Sequence, residues 1–387
     1  VRTFGITYDT GFTTAGTTTR EPFELAVVRR EMQIIRNELG CDAVRITGGD
    51  RDRIERAARY AAEAQLEVWY SPFTNGLTTG ELLDFLADSA GRAERLRREG
   101  AEVVFLTGSE ISLFTIGMLP GDTFEERAAV LADPQQLRAA LPRLHTQVNA
   151  FLGKAVAEVR TTFRGRVGYA SLPFEGVDWA PFDVVATDAG YRDAQTADRL
   201  AGGLRALTAH GKPAAVTEFG CTTYRGAADV GGRGDAVIAW DDRARPVRFT
   251  NPVVRDEQEQ ADYLRELIDA LDESAIDAAF VNTFARYDLP HAGADDLDFD
   301  KASFGVVKVL AGGRTGIAYP GLPWEPKAAF HALARYGRSR IRTSLGQRAA
   351  SAGASAGRSA SGSGSVGQPE REVQSCGVAD PQEVRRQ

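Results

Sequence analysis

Two short stretches of the 387-residue sequence place a glutamate where an apolar run gives out. Gly108-Ser109-Glu110 follows Val103-Val104-Phe105-Leu106, and Glu218-Phe219-Gly220 follows Pro213-Ala214-Ala215-Val216-Thr217. A pair of carboxyl groups can do acid and base work when the surroundings keep one protonated and the other ionised. Held about 5 Å apart, two such groups can hydrolyse a glycoside with retention, one attacking and the other giving and then taking a proton. Arg45 stands among the apolar residues Ala43, Val44 and Ile46. A buried charge stripped of its partner costs roughly 3–5 kcal/mol. Arg45 therefore predicts a buried carboxylate beside it, either a member of the pair or, as a purely structural ion pair, Asp9.

The elements that would carry these residues are legible as a repeat. Short apolar runs alternate with long amphipathic stretches, eight times over. The runs begin near Phe4, Ala43, Leu66, Val103, Arg166, Phe182, Pro213 and Ala278. Between the first two, Leu25, Val28, Met32 and Ile35 recur at the spacing of one helix face, with Pro22 near the start and Gly40 past the end. Another helix is expected over about Gln135 to Thr162, and final helices over about Lys301 to Leu310 and Glu325 to Ile341. Strands alternating with helices imply a parallel sheet buried on both faces. Eight units close naturally into a (β/α)8 TIM barrel of the α/β class. An open nucleotide-binding sheet is disfavoured, because the turn after the first run, Asp9 to Thr14, has no G-x-G-x-x-G. Residues 1–341 are expected to form this one domain. Residues 342–387, rich in Ala, Gly, Ser and Arg, lack apolar periodicity and are expected to be a disordered tail.

In such a barrel, chemistry belongs at the C-terminal ends of the strands. The polar and aromatic residues expected there are Tyr8, Asp9, Arg45, Trp69, Ser109, Asp188, Tyr191 and Asn282, with Tyr224 in the loop after the seventh strand. Together they form the predicted ligand-binding set around Glu110 and Glu218. Trp69 is a candidate for stacking on a sugar ring. Two long loops, Phe114 to Pro134 and Gly226 to Asn251, are expected to flank the mouth and restrict it to a small ligand.

Composition narrows the rest. The net charge is -7 and no basic stripe occurs, so nucleic acid is not expected as a partner. No apolar run is long enough to span a membrane. The opening run lacks the pattern of a signal peptide, and the three cysteines, Cys41, Cys221 and Cys376, form no C-x-x-C, so a reducing, cytoplasmic location is expected. The four histidines are scattered, so no metal is expected among them. Asp296, Asp298 and Asp300 imitate the start of a calcium loop, but Lys301 stands where its glycine belongs, and helix capping is the preferred reading. No cofactor is expected.

On the stretches Gly108-Ser109-Glu110, Thr217-Glu218-Phe219-Gly220 and Val44-Arg45-Ile46, the segment from Val1 to about Ile341 resembles the clan of (β/α)8 glycoside hydrolases with catalytic glutamates after strands four and seven. The resemblance implies that Glu110 is the acid/base, Glu218 the nucleophile and Arg45 the cation that keeps the nucleophile ionised. Two positions depart from it. Ser109 stands where the clan usually has the Asn that holds a sugar 2-hydroxyl, and Asn282, Thr283 and Phe284 stand where it often has a Trp. More narrowly, Gly108 to Phe114 and Phe219 to Gly226 are similar to uncharacterised bacterial barrels, some labelled abortive infection protein. Two alternatives to a glycosidase follow: a non-hydrolytic or repurposed barrel that binds a sugar-like or natural-product ligand, and a phage-defence factor.

Overall fold

Eight parallel strands close into a barrel in the computed structural model of the chain, neighbouring one another in sequence order. They are β1 (Thr3–Asp9), β2 (Ala43–Gly48), β3 (Glu67–Pro72), β4 (Val103–Ser109), β5 (Arg166–Ser171), β6 (Val185–Thr187), β7 (Ala214–Phe219) and β8 (Ala278–Val281). The fold is a (β/α)8 barrel. The structure describes residues 1–340 and 342. Val1–Ser339 form one unit, and the tail expected over 342–387 lies, but for residue 342, outside the described residues.

Alternation along each strand separates two apolar layers. Ala43, Trp69, Val104, Leu106, Ala170, Val184, Ala186, Ala215, Ala278 and Phe280 make one cluster, which fills the barrel. The residues between them, such as Val44, Val68, Phe105, Val167 and Val216, belong to the larger cluster shared with the helices. The plug is tight: the rings of Trp69 and Phe280 lie 4.8 Å apart. A filled interior of this kind closes the barrel as a channel and leaves only its rim for chemistry.

Helices α1 (Leu25–Asn37), α2 (Arg51–Glu63) and α3 (Thr79–Arg98) follow β1, β2 and β3. After β4 come α4 (Ile111–Phe114), α5 (Phe124–Ala132) and α6 (Pro134–Thr162). The long insertion expected over Phe114 to Pro134 thus contains a helix, started by a capping box between Thr123 and Glu126. Between β5 and β6 the chain makes only a 3₁₀ turn, Pro173–Glu175. Pro173, Gly176 and Pro181 deny that segment a longer helix. Helices α7 (Leu200–Thr208) and α8 (Glu257–Asp272) follow β6 and β7, and a last helix covers residues 328–340.

One expectation is corrected. Lys301 to Leu310 is not a helix: it is a 3₁₀ turn, Phe299–Ala302, and a short strand, Val307–Val309, paired antiparallel with Trp324–Pro326. Gly305 interrupts helical pairing and the β-branched Val306-Val307 suit the strand. The Gly226 to Asn251 loop holds 3₁₀ turns and a hairpin of Ile238–Trp240 with Pro246–Phe249.

Candidate active site

The inward face of each strand continues past the apolar plug into a polar layer. Two residues beyond Ala43 is Arg45, beyond Trp69 is Ser71, beyond Ala186 is Asp188, beyond Ala215 is Thr217 and beyond Phe280 is Asn282. Alternation alone brings these five positions to the same rim. It does not bring Glu218 there. Strict alternation from Ala215 would point Glu218 at the helices.

A register shift corrects this at Glu218, and a second one lies just before Glu110. Between β8 and β7 the pairing steps from Ala279↔Val216 to Val281↔Phe219, so β7 carries one residue more than its partner. Between β4 and β5 it steps from Leu106↔Gly168 to Ser109↔Ala170, so β4 carries one more as well. An extra residue of this kind bends a strand and re-aims the side chains after it. In β4 the bend passes through Gly108, whose φ of 107° suits glycine far better than any residue with a Cβ. Ser109 then faces inward, and Glu110 follows in the left-handed region with φ 46° and ψ 43°. A non-glycine residue held there costs roughly 1–2 kcal/mol, which the surrounding structure must supply.

Arg45 is the hub. It is fully buried, and its guanidinium grips Asp188 with both terminal nitrogens, Nη1 to Oδ1 at 2.8 Å and Nη2 to Oδ2 at 3.2 Å. Nη1 also donates to Glu218 Oε1 at 2.8 Å and to the Thr217 carbonyl at 3.1 Å. Nη2 donates to Ser109 Oγ at 3.1 Å, and Nε to Ser71 Oγ at 3.2 Å. Ser109 in turn donates to Asp188 Oδ2 at 2.5 Å. Glu218 accepts two further bonds at Oε2, from Tyr191 at 2.9 Å and Asn282 at 3.2 Å, and Asn282 also donates to the Tyr191 hydroxyl at 2.7 Å. Gly190 lets the loop carrying Asp188 and Tyr191 lie against β7, because a Cβ there would strike Val216 and the Glu218 carbonyl.

One guanidinium faces two carboxylates here, with Glu110 a third acid nearby. Burial and then the Asp188 charge push the Glu218 carboxyl up to about 7, against the pull of Arg45 and Tyr191. Burial, with the charges of Asp188, Glu218 and Glu175, holds Glu110 well above the ordinary carboxyl range. The resemblance implied that Arg45 serves Glu218; in the structure Arg45 is shared, and Asp188 holds the two-pronged share.

Of the predicted ligand set, Arg45, Ser109, Asp188, Tyr191 and Asn282 join Glu218 in this network. Four others do not. Tyr8 points outward, its hydroxyl bonded to Glu31 of α1, because the inward positions of β1 are Thr7 and Asp9. Asp9 is at the rim, but its carboxylate is taken by the Gly11 amide at 2.9 Å and by Thr19, and the expected Arg45–Asp9 alternative is absent from Arg45's bonds. Trp69 lies one layer down in the plug, its Nε1 donating to Glu67 at 3.0 Å, so it has no free face for a sugar. Tyr224 is 6% exposed and packs in the outer cluster. Of the calcium-like aspartates, Asp298 and Asp300 are taken by other side chains: Arg255 binds both, His291 bonds Asp298, and Lys327 binds Asp300; the expected helix capping is corrected at Asp298, whose side chain makes no cap bond to the 3₁₀ turn it precedes. Sequence reasoning missed Ser71, which the period of two from Trp69 would have found.

Removing the hub should be costly. Arg45→Met leaves Asp188 and Glu218 buried without a cation, and the expected loss is about 3–5 kcal/mol in denaturant unfolding near neutral pH. The loss should shrink as pH falls below about 7, where Glu218 takes up a proton. A loss below about 1 kcal/mol, the range of a surface pair, would show that the charge balance does not rest on Arg45.

No protein-family model and no curated protein matches the chain. Solved structures do. A GH113 β-1,4-mannanase is similar over 87% of this chain and 98% of its own, with 16% identity and a TM-score of 0.55. The GH113 β-mannanase from Alicyclobacillus acidocaldarius is similar over 87% and 96%, with 18% identity and a TM-score of 0.54. A Fervidobacterium protein, Fpglu1, is similar over 87% and 95%, with 10% identity and a TM-score of 0.52. None of these three carries the abortive-infection label. At such identities the likeness establishes what the strand order established independently: the chain has the (β/α)8 barrel that these proteins share.

Proposed function

We propose that the protein is a retaining glycoside hydrolase of small carbohydrate-like substrates, with Glu218 as nucleophile and Glu110 as acid/base. The observation that carries this reading is the hydrogen-bond network that aims one of two carboxyls at one barrel rim. Glu218 is aimed by three donors, Arg45, Tyr191 and Asn282, while burial and the neighbouring acids raise the Glu110 carboxyl, in the direction that favours its protonated form. A nucleophile must be ionised and oriented, and a leaving group must receive a proton. The GH113 mannanases that share the fold are named for β-mannan cleavage, which makes β-linked sugars the first to try.

A panel of chromogenic aryl glycosides tests it. Cleavage of at least one member is expected, and proton NMR of the first-formed sugar should show the anomer of the substrate. Inversion would replace the nucleophile with a base acting on water, and the absence of cleavage across the panel would sink the reading. One observation favours a second reading, a binding barrel without turnover. The Ser109 hydroxyl, at the position before Glu110, is occupied by Asp188 and Arg45 and is not free for a ligand. Calorimetric binding of a sugar that the protein leaves intact would support that alternative.

A further inference from the structure

Glu110 occupies the position that begins the short helix α4, yet its side chain makes no capping bond. The first amides of a helix need acceptors, and the residue at its start commonly supplies one from its own side chain. Here the acceptors come from the side of β5. The Ile111 amide donates to the Tyr169 hydroxyl at 2.9 Å, and the Ser112 amide to Glu175 Oε1 at 3.0 Å. Tyr169 passes its own proton bond on to Glu175 Oε2 at 2.8 Å, and the Leu172 amide fills the same oxygen at 2.9 Å. Glu175 is completely buried, lies outside the Arg45 network and sits on the turn that replaces a helix between β5 and β6.

We propose that Glu175 is a positioning residue for Glu110: with Tyr169 it caps the turn that follows Glu110, and so leaves the Glu110 carboxyl free for the barrel mouth. The inference rests on Glu110 being the proton donor of the proposed reaction. Burial raises the Glu175 carboxyl above its ordinary range, and the two amides and the phenol that donate to it oppose that shift by favouring its ionised form. Its charge acts on Glu110 together with those of Asp188 and Glu218, against Arg45. Tyr169 bonds it directly, and the His145 ring packs beside the same turn at Gly176. A purely structural cap would hold the fold and leave the proton on Glu110 unaffected; a positioning residue would move it.

Two variants separate these cases. Glu175→Gln keeps the size and one acceptor oxygen but removes the charge. Carbon-13 NMR of glutamate-labelled protein, with Glu110→Gln to assign the signal, reads the Glu110 titration without any substrate. In Glu175→Gln the Glu110 carboxyl is expected to titrate at lower pH than in the wild type. An unchanged titration in the folded variant overturns the proposal, whatever the wild type does to aryl glycosides. Failure of the glycosidase reading is seen separately, as absence of cleavage by the wild type. Should Glu175→Gln not fold, Tyr169→Phe keeps the charge and cuts the link to the Ile111 amide. It is expected to lower kcat by about 10²-fold, the effect of a small misplacement, while KM stays within about threefold. A kcat equal to that of the wild type would overturn the proposal.

Discussion

Glu218→Gln is expected to abolish turnover of an activated aryl glycoside, by about 10⁴- to 10⁶-fold, as removal of a nucleophile does elsewhere. Gln has the same size and can still accept from Arg45, so the fold should persist. Glu110→Gln is expected to behave differently. Loss of general acid assistance costs about 10²- to 10⁴-fold when the leaving group is poor. With a dinitrophenolate leaving group, which needs little help, the first step should still run and release one equivalent of phenol in a burst. Glu218→Gln should show no burst on the same substrate. Rapid-mixing absorbance measurements on both variants check this. Equal activity of either variant with the wild type would remove it from the mechanism.

The pH dependence follows from the same charges. Glu218 must be ionised to attack, and its carboxyl is pushed up to about 7, so kcat/KM should rise as pH climbs through about 7. Glu110 must be protonated, and burial with the charges of Asp188 and Glu218 raises its carboxyl, so the alkaline limb should lie higher in pH than an ordinary carboxyl would place it. Asp188→Asn removes a like charge and gives Glu218 the whole of Arg45, so the acid limb should move down. Stability has the opposite sense. A carboxyl raised from 4.5 to about 7 on folding binds a proton in the native state that the unfolded chain releases. That contribution is present in full below 4.5 and is lost as pH rises through about 7. Glu218→Gln should therefore raise the melting temperature relative to the wild type at pH above 7 and not below 4.5. A kcat/KM profile flat from acid to pH 8 would contradict the charge assignment.

How far the sequence could reach follows from what each feature depends on. The barrel was legible because a parallel strand buried on both faces reads as an apolar run. Arg45 was legible for the opposite reason, as a charge that such a run must have cause to carry. Asp188 and Asn282 continue the inward period of their strands. Tyr8 breaks the inward period of β1 and belongs to the helix layer, which alternation from Thr7 would have told. Trp69 keeps the period but sits one layer too deep. The two bulges were not legible, because a register shift exists only between two strands, and Glu218 reaches the rim through one of them. The Tyr169–Glu175 cap was hidden for a similar reason. It joins a strand and a turn some sixty residues along the chain to the amides after Glu110 (separations of 58 and 63 residues), and nothing local marks it.

The most direct measurement is a trapping experiment. Fluorine in place of the hydroxyl next to the anomeric carbon slows both steps of a retaining hydrolysis, and a dinitrophenolate leaving group restores only the first. The protein is incubated with a panel of such glycosides and mapped by peptide mass spectrometry. With Glu218 as nucleophile, a stable adduct of one sugar per chain is expected on the peptide carrying Glu218, absent from Glu218→Gln. An adduct on any other residue, or cleavage of the parent glycosides with no adduct from any member of the panel, would contradict it.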